Sequence, residues 1–240
     1  MRARENPVAF SQQIQSMFSA IAPNYDLLNR TLSCGRDKYW RRVAVDVMKP
    51  APGERYLDIA TGTADVALEI ADRVPQGIRV HGVDVCVPMM LLGMHKVRAG
   101  HRENTISFQA GCCENLPFPD ALFNGAVSAF GVRNFTCLTQ GLEELCRVLK
   151  PGGRVVILEF SLPENFVFKF LYRFYFEKLL PTIGRFVSGH QTAYSYLPQS
   201  VLEFPSGSDF TQILETTGFR QVSYQSLTFG IVNIYIGLKA

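Results

Sequence analysis

Apolar positions divide most of the chain into short strands that alternate with helices. Runs of strand length occur at residues 56–59, 78–84, 105–110, 122–129 and 154–160. Helical spacing of apolar positions follows the first run and recurs over 87–99 and 141–149. Strands that alternate with helices favour a parallel sheet, so we predict an α/β protein with a doubly wound, mostly parallel sheet.

Both ends of the chain depart from this alternation. A helical pattern over 7–20 and two short helical pieces within 25–40 precede the first strand. We predict that residues 1–50 form a helical lid over a cofactor cleft. A helix over 209–217 and a pair of strands within 220–238 are expected to complete the fold. At 240 residues, the whole chain is expected to be a single domain.

Residues 163–187 carry eight aromatic side chains and a charged stripe at helical spacing. A helix with this pattern can pack on the sheet as core, line a groove for a greasy substrate, or rest on a bilayer surface. We assign residues 163–205 to a helical insertion on the substrate side. We predict that residues 166–187 bind anionic membranes.

The stretch 56–67, YLDIATGTADVA, predicts a strand, a small-residue turn and the start of a helix. The second strand ends in Asp84, and an acid there beside such a turn is suited to the two hydroxyls of a ribose. A dinucleotide site would need more glycines than Gly62, and carboxylates at Asp58 and Asp65 are expected to repel phosphate. S-adenosylmethionine (SAM), which has a ribose and two cationic groups but no phosphate, is therefore favoured over NAD.

Composition narrows the function further. The net charge is +3, with scattered basic residues, so no nucleic-acid partner is expected. The N-terminus has no apolar signal region, and no run reaches the roughly 18 uncharged residues of a membrane span, so a cytoplasmic location is expected. Six cysteines without a C-x-x-C and four dispersed histidines indicate neither a metal site nor a disulfide framework.

The chain resembles the ubiquinone/menaquinone biosynthesis C-methyltransferases in the segments YDLLNRTLS, LDIATGTAD, LPFPDALF, AFGVRN and RVLKPGGRVVILEFS. The resemblance covers nearly the whole chain and is strongest to the demethylmenaquinol-methylating branch. It implies the class I SAM-dependent methyltransferase fold, SAM as cofactor and a polyprenyl naphthoquinol as substrate. It also implies transient contact with the inner face of a membrane, and it leaves a homodimer open. A polyprenyl benzoquinol substrate and a non-catalytic scaffold are the alternatives.

The resemblance also implies site residues. In such enzymes Thr63 lies in the cofactor loop, Asp84 holds the ribose hydroxyls, and positions 112 and 113 flank the adenine. The full set of expected cofactor-binding residues is Asp58, Gly62, Thr63, Asp84, Cys112, Cys113 and Ala129.

The chain departs from the family pattern at several positions. The family usually has Gly at position 64, Asn or Asp at 112, Ser at 129 and His at 37, whereas this chain has Ala64, Cys112, Ala129 and Asp37. Tyr235 replaces a further His of the family. Each lost neutral hydrogen bond is worth about 0.5–1.5 kcal/mol, so cofactor affinity is expected to be weakened several-fold and not abolished.

Arg133 and Asn134, just after the fourth strand, are the expected catalytic residues. Arg133 would stabilise a developing phenolate, and Asn134 would orient a hydroxyl or a water molecule. The alternative is that Arg133 only pairs with an acid such as Glu159 or Asp65.

Overall fold

We describe residues 6–163 and 191–240 in a computed structural model of the chain. The helices in these ranges are α1 (Pro7–Ile21), α2 (Tyr25–Leu32), α3 (Arg36–Met48), α4 (Asp65–Arg73), α5 (Val87–Ala99), α6 (Leu138–Val148), α7 (Gln191–Glu203) and α8 (Ser208–Thr216). The strands are β1 (Arg55–Ile59), β2 (Arg79–Asp84), β3 (Ile106–Ala110), β4 (Phe123–Ala129), β5 (Leu149–Phe160), β6 (Phe219–Leu227) and β7 (Val232–Lys239). Short 3₁₀ turns occur at Ala22–Asn24, Val132–Asn134 and Thr228–Gly230.

The strands form one sheet in the order β3-β2-β1-β4-β5-β7-β6. β1 to β5 pair in parallel, whereas β7 pairs antiparallel with both β5 and β6. The predicted doubly wound, mostly parallel sheet with its C-terminal strand pair is thereby confirmed. The strand order reverses between β1 and β4, and ligands of such sheets bind at the carboxyl ends of the strands near this point.

Alternating strand residues pack on opposite faces of the sheet. Tyr56 belongs to a core shared with α3 and α4, whereas its neighbour Leu57 belongs to a core shared with α6 and α8. The buried positions of β5 alternate in the same way, with Val156 on the first face and Ile157 on the second. Both faces are covered, which explains why the strands read as nearly continuous apolar runs.

The predicted boundaries agree with most elements to within a few residues, with two exceptions: α3 extends to Met48, beyond the predicted range, and β5 begins early. The sequence predicts a helix at 141–149 and the fifth strand at 154–160, with Pro151-Gly152-Gly153 between them. Instead, α6 ends at Val148 and β5 begins at Leu149, so the three residues lie inside the strand. The pairing register shifts there, since Leu149 pairs with Phe123 but Arg154 pairs with Gly125. The Pro-Gly-Gly segment forms an irregularity in the pairing, which explains how a helix-breaking sequence fits in a strand.

The N-terminal helices are fixed to the sheet through α3. The expected short second helical piece is a helix of 13 residues that follows Gly35, whose φ is +75°. Its Trp40 is buried, and the indole Nε1 donates to Thr228 Oγ1 at 2.7 Å, in the turn between β6 and β7. The same ring makes edge contacts with Phe130 and Phe160, which follow β4 and end β5. Trp40 therefore links the N-terminal helices to the strand ends that surround the site.

Two expectations fall partly or wholly outside the described residues. The aromatic stretch 166–187 and its predicted membrane binding lie outside them, and of the insertion at 163–205 the structure describes mainly α7. Within residues 6–163 and 191–240, each helix is too short or too polar to cross a bilayer.

Candidate cofactor and active site

A cavity of about 490 Å³ opens at the carboxyl ends of the parallel strands. The loops that follow β1, β2, β3 and β4 form its floor, and α1 and the start of α2 form a wall. The cavity therefore lies where the strand order reverses, as the doubly wound topology predicts. It also brings the N-terminal helices, which the sequence assigned to a lid, into direct contact with the site. Whether they move as a lid stays a prediction.

Asp58 supports the loop after β1 from beneath. Its Oδ2 accepts hydrogen bonds from Thr61 Oγ1 at 2.7 Å and from the backbone N–H of Ala67 at 3.1 Å. The side chain is buried and does not line the cavity, and its Oδ1 has no hydrogen-bond partner among the described residues. Burial is the main cause that raises the Asp58 pKa to about 7. Asp58 thus shapes the loop after β1, residues 60–64, which we call the cofactor loop, and it does not line the cavity.

The loops after β1 and β4 have a strained backbone. Ala60, Ala64 and Phe130 adopt positive φ angles of 54°, 65° and 61°. For residues other than glycine this region costs roughly 1–2 kcal/mol each, and such strain concentrates at binding sites. Ala64 is the position where the family usually has Gly, so this chain keeps the left-handed backbone despite the substitution. A Cβ on Gly131 would lie 2.3 Å from Ala60 Cβ, so only glycine permits the close approach of the two loops.

Asp84 lies at the tip of β2 and lines the cavity. Its Oδ2 accepts from the Gly62 N–H at 2.8 Å, and its Oδ1 accepts from the Cys86 N–H at 2.7 Å. Burial raises the pKa of Asp84, and these backbone hydrogen bonds offset part of that effect. Each carboxylate oxygen can accept more than one hydrogen bond, so Asp84 retains acceptor capacity for ligand hydroxyls. The geometry suits a ribose held beside Gly62.

The charges around the cavity distinguish between the two cofactor types. Among the described lining residues, the ionisable acids are Asp84 and Glu114, and there is no Lys, Arg or His. A diphosphate would meet no cation there, whereas a sulfonium and an ammonium would meet carboxylates. The residues present therefore fit SAM and disfavour NAD.

One step in the sequence argument was wrong, although its conclusion holds. Asp58 and Asp65 were expected to repel phosphate from the loop, but neither lines the cavity. Asp65 pairs with Arg41 at 3.1 Å and with Lys96, so its charge is compensated. The acidic character of the cavity comes instead from Asp84 and Glu114.

The remaining expected cofactor residues divide into two groups. Gly62, Cys112, Cys113 and Ala129 line the cavity, as the resemblance implies. Cys113 is buried, and its thiol donates to the Gly141 carbonyl at 3.2 Å. Thr63 does not line the cavity, because its hydroxyl donates to Asp26 Oδ1 at 2.7 Å and accepts from Lys96 Nζ at 3.0 Å.

The two expected catalytic residues occupy different environments. Asn134 lines the cavity, and its Oδ1 accepts from the Tyr196 hydroxyl of α7 at 2.7 Å. Arg133 is buried and does not line the cavity. Its Nη1 pairs with Glu159 Oε2 at 2.8 Å and also donates to the Phe130 carbonyl. The ion pair with Glu159, the alternative that the sequence left open, is the contact that the structure shows.

Several cavity residues were not selected from the sequence. They include Phe18, Tyr25, Glu114 and Phe130. Burial raises the pKa of the Tyr25 hydroxyl, although a hydrogen bond with Asn29 and the nearby Arg41 guanidinium offset part of this effect. The segment YDLLN was noted as a family feature, but nothing in its pattern shows that Tyr25 faces a cavity formed by strand ends far along the chain.

Two further departures from the family pattern lie outside the cavity. Asp37 is buried, where it accepts from Ser33 Oγ at 2.9 Å and from Arg41 Nη1 at 2.6 Å. The Tyr235 hydroxyl accepts from the Gly207 N–H at 2.8 Å on the other face of the sheet. The described ranges contain no cluster of three or more side chains that could hold a metal ion.

Solved structures share this architecture at low sequence identity. The [4+2]-cyclase SpnF aligns with a TM-score of 0.72 and 16% identity over 95% of this chain and 96% of its own. A SAM-dependent methyltransferase from Aquifex aeolicus aligns with a TM-score of 0.65 and 17% identity over 90% and 98%. The fold and the cavity define a class I SAM-dependent methyltransferase architecture, and at this identity the structural likeness concerns the fold alone.

Sequence comparisons are more specific. The ubiE/COQ5 methyltransferase family matches residues 7–239, and the chain belongs to this family. It is 50% identical to the ubiquinone/menaquinone biosynthesis C-methyltransferase UbiE of Geotalea daltonii, over 95% of this chain and 97% of that protein. It is 47% identical to the demethylmenaquinone methyltransferase of Deinococcus radiodurans, over 95% and 93%. The predicted family, methyltransferase activity and SAM cofactor are confirmed.

Proposed function

We propose that this chain transfers a methyl group from SAM to a ring carbon of a demethylmenaquinol. The observation that carries this proposal is the match to relatives named for this activity over 95% of the chain, at 47% identity in one case and 40% in another. The cavity supports it, because its acidic groups suit a cationic methyl donor and its walls are otherwise largely apolar. Other relatives are named for both quinone pathways, so a benzoquinol is the second candidate substrate.

The residues of this chain have defined tasks in such a reaction. SAM supplies an electrophilic methyl group when it is bound. Gly62 and Asp84 would hold its ribose, Cys112 and Cys113 would flank its adenine, and Ala129 would contact it, while Phe18 and Tyr25 would exclude water from the α1–α2 side. Fixing two reactants in line can contribute about 7–11 kcal/mol, so much of the rate is expected to come from this positioning.

We assign the contact with the substrate hydroxyl to Asn134. Its Oδ1 is engaged by Tyr196, which fixes the orientation of the amide and leaves its NH₂ group to donate. A donor at this position would hold the quinol oxygen as negative charge develops on it. Arg133 lies behind this residue, paired with Glu159, so its predicted contact with a phenolate would need a rearrangement of the guanidinium. A role for Arg133 in catalysis stays a prediction.

The Asn134→Ala variant is expected to reduce kcat about 10- to 100-fold, while the Kd for SAM changes less than about two-fold, because the contact forms with the substrate. Turnover kinetics and calorimetric titration with SAM measure the two quantities. Tyr196→Phe provides a graded comparison, since it keeps Asn134 but frees its amide to rotate, and a smaller loss of kcat is expected. A parallel rise in Kd would place Asn134 on the cofactor instead.

The substrate assignment is tested with short-chain demethylnaphthoquinol and benzoquinol acceptors, held reduced, and methyl-labelled SAM. We expect label in the naphthoquinol ring, with a kcat/KM at least about tenfold above that for the benzoquinol. The reverse preference would assign the benzoquinol pathway. SAM binding without transfer to either acceptor would support the scaffold alternative.

The polyprenyl tail of such a substrate resides in a bilayer, so we propose that the protein meets it at the membrane surface. At ~0.8 kcal/mol per buried CH₂, the tail will not enter water unaided. Apolar lining residues such as Phe18, Phe130 and Phe135 suit the ring. Contact with the membrane and a homodimer both stay predictions.

A further inference from the structure

Helices α1 and α2 form one wall of the cavity, so whatever holds them determines how a bound ligand is enclosed. Phe18 of α1 and Tyr25 of α2 line the cavity directly. Part of the support is apolar, because both side chains pack on a small core with Cys86 and Met89 at the start of α5. Both side chains also pack on a second apolar core that includes residues of α7. A polar support begins with Asp26, the residue next to Tyr25.

Asp26 is held from two sides. Its Oδ1 accepts from Thr63 Oγ1 at 2.7 Å, and its Oδ2 pairs with Lys96 Nζ at 2.7 Å. Lys96 also donates to Thr63 Oγ1 at 3.0 Å and pairs with Asp65. We call Asp26, Thr63, Asp65 and Lys96 the Asp26 cluster. It joins α2 to the cofactor loop and to α5, although these elements are far apart in sequence.

The cluster differs in exposure from the ion pair beside it. The side chains of Asp26 and Lys96 are 33% and 29% exposed, whereas those of Arg41 and Asp37 are 9% and 5% exposed. Arg41 is joined to the cluster through Asp65, at 3.1 Å. Salt screens partly exposed pairs much more than buried ones. The Asp26–Lys96 contact is therefore the part of this network that can open while α3 stays in place.

The charge on Asp26 is secured by the same contacts. Burial raises its pKa, but the hydrogen bonds with Lys96 and Thr63 outweigh this effect, so the pKa is lowered overall. The cofactor loop also has supports outside the cluster, because Asp58 and Asp84 bind it from the sheet side. Loosening the cluster should therefore weaken the hold on the α2 side of the wall, while the apolar contacts remain and the loop itself stays in place.

We propose that Asp26 and Lys96 are positioning residues that close the α1–α2 wall over the bound cofactor and so set its residence time. The inference rests on the assignment of SAM to this cavity and adds which contacts keep it enclosed. Opening the pair exposes the ligand on the helical side, so dissociation becomes faster. Added salt weakens the pair and has the same effect.

The test is the dissociation rate of S-adenosylhomocysteine, measured by stopped flow at about 10 mM and about 1 M salt, where the Debye length falls from ~30 to ~3 Å. In the unchanged protein we expect dissociation to accelerate with salt. In Asp26→Asn it is expected to be about two- to five-fold faster at low salt and to respond little to added salt. If Asp26 had only a structural role, Asp26→Asn would lower the thermal midpoint, but its dissociation rate would respond to salt as in the unchanged protein.

Asp72→Asn is the matched control. It removes the acid from an exposed ion pair with Arg102 at 2.8 Å, so the net charge changes by the same amount as in Asp26→Asn. Asp72 does not line the cavity, and the dissociation rate of S-adenosylhomocysteine should stay unchanged. Lys96→Met, which keeps the apolar stem, is the second variant if Asp26→Asn folds poorly. Dissociation rates and salt responses that match the unchanged protein in a folded variant would overturn the proposal. The assay contains no quinol, so its failure would leave the proposed substrate unaffected.

Discussion

The Asp84→Ala variant is expected to bind SAM about 10- to 150-fold more weakly than the unchanged protein. A charged acceptor that contacts ligand hydroxyls is worth about 1.5–3 kcal/mol, which corresponds to this range of Kd. Asp84 lines the cavity, and it also accepts the N–H groups of Gly62 and Cys86, so its loss removes both the ligand contact and the fixed geometry of two loops. Calorimetric titration with SAM measures the effect.

A comparison with Asp84→Asn separates these two contributions. The amide oxygen of Asn can still accept a hydrogen bond from one backbone N–H group, but the side chain carries no charge. We therefore expect a Kd for SAM between that of Asp84→Ala and that of the unchanged protein. Thermal midpoints without ligand report how far each variant loosens the fold. A dissociation constant for Asp84→Ala equal to that of the unchanged protein would show that Asp84 only caps the turn at the end of β2.

The Glu159→Ala variant is expected to lose about 3–5 kcal/mol of unfolding free energy. Glu159 is fully buried and pairs with the buried Arg133 at 2.8 Å, so its removal leaves a guanidinium in the core without its counter-charge. The same carboxylate accepts the backbone N–H groups of Arg133 and Phe160, both at 3.2 Å. Urea denaturation measures the loss.

The exposed pair between Arg147 and Asp120 provides the comparison. Asp120 is 75% exposed, and Asp120→Ala should cost less than about 1 kcal/mol. Similar losses in both variants would mean that the Glu159–Arg133 pair is not insulated from water. The expected loss also means that turnover of any Arg133 variant must be compared with its folded fraction, since weakened folding alone would lower the rate.

The local pattern of apolar and polar residues was sufficient to predict the fold class and the part of the site that is formed by strand ends. The strands are short, nearly continuous apolar runs, and the helices between them show helical spacing, so the parallel sheet could be predicted from short-range sequence alone. Six expected site residues lie at the carboxyl ends of parallel strands or in the loops just after them, and these ends share one edge of the sheet. They are Gly62, Asp84, Cys112, Cys113, Ala129 and Asn134. Their convergence on one cavity could therefore be predicted without coordinates.

The direction of individual side chains could not be predicted in this way. Thr63 comes directly after Gly62, and Arg133 comes directly before Asn134. Gly62 and Asn134 line the cavity, whereas Thr63 and Arg133 do not. Thr63 is turned towards Asp26 and Lys96, and Arg133 towards Glu159, all of which are distant in sequence. The position of a residue in a loop does not specify where its side chain points, because the residue that binds this side chain is brought near only by folding.

By itself, the sequence determined the α/β class, the strand ends that meet at the cavity, and the family, because each depends on local periodicity or on contiguous segments. The tertiary structure decided which carboxylates line the cavity. Asp58 is buried under the loop and Asp65 is compensated by Arg41 and Lys96, whereas Asp84 and Glu114 line the cavity. The physical reason is that burial and counter-charges control the field at a site, and both arise from residues that only the folded chain brings together.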